Sequence, residues 1–203
     1  KHIMEIKNYL SSLDNIAGIN ETRRAFGFLF LAVSTAIGFA SVLSEIAFIR
    51  RTPSIYYVAI WTASFGLTVV IFFAKTRSTI SYIRNRMKNS VNWPTKAKTI
   101  NGLCWAGPFI TIPAFLHFYQ FLILLGIGLG NVSTYLCMRK YSGLDNREQM
   151  VVGLISLLAI PLAIAIDSVM FAARQDIAVM ISRVLISVAY GVGGIYAITY
   201  KAS

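Results

Sequence analysis

The sequence predicts an all-α membrane protein, a polytopic bundle of six transmembrane helices preceded by an amphipathic N-terminal helix. Three observations carry that expectation. Of 203 residues, 56% are hydrophobic and 13% charged, with a mean hydropathy of +0.64, a balance outside that of soluble domains. Several apolar runs reach the roughly 20 residues that cross about 30 Å of hydrocarbon as a helix, whereas soluble cores use runs of about 10 to 14. Basic residues also gather where alternate runs end, in "FFAKTR", "LCMRK" and "ITYK", as expected when Lys and Arg resist translocation.

The first 20 residues form the amphipathic segment. Ile3, Ile6, Leu10, Leu13 and Ala17 recur at steps of three and four, the period of one helix face. Gly18 is expected to end this helix and Asn20 to cap the next. Met4 reads as the natural start, with Lys1 to Ile3 vector-derived. No cleavable signal is expected, because the first apolar run is too long and lacks a small-residue cleavage site after it.

The transmembrane domain is placed at 21–203. Its first two spans are "FGFLFLAVSTAIGFASVLSEIAFI" at about 26–49 and "IYYVAIWTASFGLTVVIFFA" at about 55–74, joined by the turn "RRTPS". No Gly or Pro follows Ala74 until Pro94, so the second helix is expected to run on into the basic connection 75–101. Arg84, Arg86 and Lys88 there are candidate contacts for anionic lipid head groups.

Residues 102–138 are apolar throughout, about 55 Å as one helix at 1.5 Å per residue, too long for one crossing. A turn is expected near "LHFYQ", dividing the run into spans at 102–116 and 121–138. The fifth span is placed at 150–172, and the sixth runs from about 178 to 200. With both termini cytosolic in a plasma membrane, 15 of the 19 Lys and Arg residues fall on the cytoplasmic side, as the positive-inside rule asks. If 102–116 only dips in and returns, the split falls to 13 against 6. The net charge of +11 then follows from topology, and no nucleic-acid partner is implied.

Charges inside the spans mark the candidate site. A charge at mid-membrane costs about 2.5 to 3.5 kcal/mol on insertion scales and turns toward the bundle or a wet cavity. Glu45, Asp167 and Arg183 occupy one expected layer in the outer half of three spans. Each stands on a stripe of small or polar residues: Ser34, Gly38 and Ser41 with Glu45; Ser156, Ala159 and Ala163 with Asp167; Ser187, Gly191 and Gly194 with Arg183. Two readings stay open. In one, Arg183 bridges the carboxylates as a structural ion pair and the small residues only let helices approach. In the other, Glu45, Asp167, Arg183, Ser41 and Ser187 line a net acidic vestibule for a cation, a proton or a small polar solute.

Gly126 and Gly130, and Ala32, Ala36 and Ala40, have the four-residue spacing of packing faces, inside the chain or between copies of it. Asn131 is expected to bond between helices. The stretch "AVSTAIGFA" in the first span is similar to the substrate-binding subunits of energy-coupling-factor vitamin importers, which implies a compact six-span fold. The long basic connection after the second span departs from that family's short loops.

Chemistry leaves few traces. With only His2 and His117, neither a bis-histidine haem nor a clustered metal site is expected, and no cofactor. No hydrolase, zinc-protease, phosphate-loop or dinucleotide motif occurs, so an enzyme is disfavoured. Cys104 and Cys137 read as small hydrophobes. The function expected is a small transporter or channel. The alternative is a non-catalytic subunit or signalling module that docks a protein partner, or a second copy, through the N-terminal helix and the basic connection.

Overall fold

A computed structural model describes residues 2–90, 93–170 and 173–200, with side chains from Asn20 onward except 73–83, 85–87, 89–90 and 116. Six helices organise it: α1 (His2–Ile49), α2 (Ile55–Ser90), α3 (Thr95–Thr111), α4 (Tyr119–Cys137), α5 (Arg147–Ala165) and α6 (Gln175–Thr199). All but α3 contain a stretch long and apolar enough to cross a membrane. The chain is therefore an all-α integral membrane protein.

Two expectations about the elements are corrected. The amphipathic segment is not separate, because α1 runs unbroken for 48 residues, about 72 Å at 1.5 Å per residue. An interior glycine costs a helix only about 1 kcal/mol, and no proline stands near Gly18 to stop it. The third span is shifted. Instead of 102–116, α3 begins at Thr95, directly after Pro94, whose extended backbone (φ −56°, ψ 147°) opens the helix. The helix tolerates Pro108 near its end and stops at Thr111, where Pro113 leads into two tight 3₁₀ turns, Ile112–Ala114 and Leu116–Phe118. At 17 residues, α3 measures about 26 Å, but with those turns it reaches from the end of α4 back to its start. The expected continuation of α2 through the basic connection is present as a single 36-residue helix.

In space the helices lie side by side in the order α2, α1, α6, α5, α4, α3, and the row curls so that α4 meets α6 and α1 meets α5. The centre is built from Phe30, Ile37, Leu124, Ile127, Val152 and Ile186 with several alanines. Lipid is as apolar as these side chains, so close approach rather than water exclusion holds such helices together.

The antiparallel α1–α6 seam shows how. A Cβ on Gly27 would lie 2.9 Å from the Gly194 carbonyl, and one on Gly194 2.9 Å from the Gly27 carbonyl. Between α3 and α4, Phe109 lies over Gly126 and Trp105 over Gly130, so this glycine pair serves an internal contact. Asn101 Oδ1 accepts from Ser133 (2.8 Å) and Thr134 (2.9 Å), and Trp105 Nε1 donates to Thr134 at 3.0 Å. Ala36 and Ala40 are fully buried in α1.

Candidate functional site: charged groups at the two ends of the bundle

One end of the bundle gathers the C-terminal turns of α1 and α5 and the N-terminal turns of α2, α4 and α6. Glu45 lies here, with its carboxyl beside that of Asp176 in the first turn of α6. The seam register sets this pairing: Gly27 meets Gly194 and Ser34 meets Ser187, and the same antiparallel step brings residue 45 to 176. Asp176 is also held by Arg174, whose Nε and Nη2 donate at 3.1 and 2.8 Å. The Asp176 carboxylate in turn raises the Arg174 guanidinium above its ordinary value. Glu45 Oε1 is buried and, among the described residues, accepts no hydrogen bond.

The three charges expected to meet do not form one cluster. Arg183 lies seven residues, about 10 Å, farther along α6 than Asp176. Among the described residues, no carboxylate stands within 4 Å of its guanidinium. Its neighbours are the Trp61 ring of α2, with the centroid 5.8 Å away, and the Tyr119 hydroxyl of α4 at 3.4 Å. Asp167 sits on a wide π-helical turn, Ile166–Met170, that continues α5. There its Oδ1 accepts from Gln120 Nε2 at 3.4 Å and its carbonyl from Gln175 Nε2 at 3.5 Å.

Ser41 and Ser187 are committed to the helices. Ser41 is fully buried and donates to the Ile37 carbonyl at 2.7 Å. Ser187 and Ser34 clasp each other, each hydroxyl donating to the other's carbonyl at 2.7 Å. Asn131 is buried and donates to the Ile127 carbonyl of its own helix at 2.9 Å, near Tyr190 of α6. Of the basic residues on α2, Arg84 and Lys88 are exposed, and the side chain of Arg86 lies outside the described residues.

The opposite end holds a charged group that the sequence reading missed. Arg23 and Glu148 are both buried, with Nε 3.4 Å from Oε2. Arg23 Nη2 donates to the Asp145 carbonyl at 3.0 Å, and its guanidinium lies 5.0 Å from the Tyr200 ring centroid. Arg147 pairs with Asp145 at 2.7 Å and lies over the same ring at 6.0 Å. Arg23 and Glu148 fall just outside the spans expected at 26–49 and 150–172, so neither is counted among the charges inside the membrane. The stripe through Ser156, Ala159 and Ala163 contained the signal, because two further turns back along that face lie Val152 and Glu148, both fully buried. Asp176 was missed because the sixth span was started at 178, although it stands seven residues before Arg183 on one helix face.

Among the described residues, no group of three or more His, Cys, Asp or Glu side chains is placed to hold a metal. Cys104 and Cys137 are free thiols. Compared with known family models, curated proteins and solved structures, the chain matches none.

Proposed function

We propose that the chain is a small transporter or channel that moves a proton, or a cation or small polar solute coupled to one, through the Glu45 end of the bundle. The observation that supports this reading is the contact between Glu45 and Asp176. Two carboxylates side by side repel each other while both are ionised, so a pair this close favours holding one proton between them. Asp176 already accepts two N–H groups from Arg174, which makes it the acceptor and Glu45 the donor. Loss of that proton leaves a charged Glu45 inside an apolar segment, where it is costly and draws water or a cation to the buried Oε1. In this reading the Glu45 end faces outward in a plasma membrane, and both termini lie in the cytosol, following the positive-inside count.

Proteoliposomes of the purified chain, loaded with a pH-sensitive dye and given a pH jump, test the proposal. Flux exceeds that of protein-free vesicles, and E45Q and D176N each lower it by about tenfold or more, equivalent to about 1.4 kcal/mol or more of barrier. D167N, one contact removed from the pair, lowers it less. Flux in E45Q and D176N equal to the parent's overturns the proposal.

A separate observation favours a second reading, a non-catalytic docking subunit. Both α1 and α2 continue beyond their membrane-spanning stretches, α1 from His2 to its apolar stretch at Asn20 and α2 from Phe72 to Ser90. A stoichiometric protein partner that copurifies with the chain and is lost when residues 76–92 are scrambled supports this reading.

A further inference from the structure

Arg183 is a charge inside an apolar helix that touches no carboxylate among the described residues, although Glu45 lies within range of its field. It lies eight residues into α6, about 12 Å from its start at 1.5 Å per residue. Both nearby acids are engaged elsewhere, Glu45 with Asp176 and Asp167 with Gln120. Of the five N–H donors a guanidinium offers, one is used, in a 3.4 Å contact with Tyr119. Desolvating such a group is expensive, and the Trp61 ring offsets only part of that cost.

The helix arrangement leaves the guanidinium open on one side. Among the spans α2 packs closely on α1, and α4 on α3 and α5 with a lighter contact to α6. Over α6 the two sides therefore leave a groove between α2 and α4 where Arg183 lies, while toward the other end α2 meets the turn Met138–Ser142 that continues α4. Aromatic side chains flank the groove: Trp61 stacks on Phe65 along α2 (6.2 Å, 21°), and Phe118 lies against Phe121 beside Tyr119 on the other side (6.3 Å), with Trp61, Phe65 and Phe121 resting their inner faces on the central core. A cation with no carboxylate in contact, at the polar end of an apolar groove, complements one kind of molecule.

We propose that this groove binds a membrane amphiphile with an anionic head, its phosphate or carboxylate on Arg183 and its acyl chain between the aromatic walls. The guanidinium fork matches such a head with two parallel hydrogen bonds, and a zwitterionic lipid of the same chain length lacks the net charge to replace the missing counter-ion. The site rests on the proposed proton pair in one respect, that Asp176 engages Glu45, but it is read by binding, without flux, so the two fail separately.

Native mass spectrometry of the purified full chain in a neutral detergent, titrated with palmitoyl-oleoyl phosphatidylglycerol, the matching phosphatidylcholine and inorganic phosphate, tests the proposal. The expected result is a preference for the anionic lipid of about tenfold or more, lost in R183Q and retained in part in R183K. Arg84→Gln with Lys88→Gln, on the far extension of α2, leaves it in place. A second measurement needs no change at Arg183: brominated-acyl phosphatidylglycerol in nanodiscs quenches tryptophan emission more than brominated phosphatidylcholine at equal mole fraction, and W61F removes the difference. A preference that survives R183Q, or that R84Q/K88Q abolishes, overturns the proposal. So does phosphate that binds as tightly as the lipid, which would make the acyl chain irrelevant.

Discussion

Single side chains in this fold differ widely in what their removal costs. Arg23 and Glu148 form a buried pair, and removing one partner of such a pair strands the other in a medium that cannot solvate it, at about 3 to 5 kcal/mol. E148Q and R23M are each expected to lower the midpoint of thermal unfolding in detergent strongly. The double replacement R23M/E148L removes both charges and is expected to recover most of the loss; if it melts as low as the single variants, the pair is not the source of their instability. Asn131 is a deliberate contrast. Its hydrogen bond to the Ile127 carbonyl stays within α4, and even interhelical hydrogen bonds in membranes average only about 0.6 kcal/mol. N131L is therefore expected to shift stability by less than about 1 kcal/mol, measured by unfolding in mixed micelles. At this scale the sequence marked Asn131 and Glu45 as groups that turn inward, and Asn131 is buried, because an amide in an apolar run has few other options. It could not identify their partners, since those depend on how far α6 slides along α1.

The slide is set by the glycines, which act at the level of helices. Gly27 and Gly194 allow the α1 and α6 backbones to touch, and the contact fixes the step that puts Ser187 on Ser34 and Asp176 on Glu45. Gly194→Leu forces the helices apart and is expected to destabilise by about 1 to 3 kcal/mol, as overpacking does. It should also reduce proton flux by separating Glu45 from Asp176. A variant that keeps full flux with α1 and α6 demonstrably displaced breaks the link between the seam and the site. Small-residue spacing made Gly126, Gly130 and the α1 alanines legible as packing faces, but not their occupant, because Phe109 and Trp105 come from a helix whose start was misread. The error had a physical cause: Lys96 and Lys98 made residues 95–101 look like loop, while Pro94 and the contact of Ala97 with Cys137 begin a helix there. A similar misjudgement ended the first helix at Gly18, where a cost of about 1 kcal/mol is too small to stop a helix that continues on both sides.

For the whole molecule, the defining feature is that the first and last helices are neighbours, so the chain closes on itself through α1 and α6 while α2 and α3 are left on the flanks. Hydropathy finds the long spans well, because bilayer thickness dictates their length, but it is silent about which spans adjoin, and the place of Arg183 between α2 and α4 follows from that order. The closure can be checked directly. Ser34 and Ser187 place their hydroxyl oxygens 3.2 Å apart across the seam, a separation that lets cysteines at the same positions approach disulfide geometry. In a background with Cys104 and Cys137 replaced by alanine, S34C/S187C is expected to form an intramolecular disulfide under mild oxidation, seen as a reversible gel shift after cleavage within the 143–146 loop. The same pairing attempted between α1 and α3, as S34C with A106C, should not form. Efficient cross-linking of α1 to α3 would mean that the helices are ordered differently. The groove between α2 and α4 would then not exist, and Arg183 would need another neighbour to account for its charge.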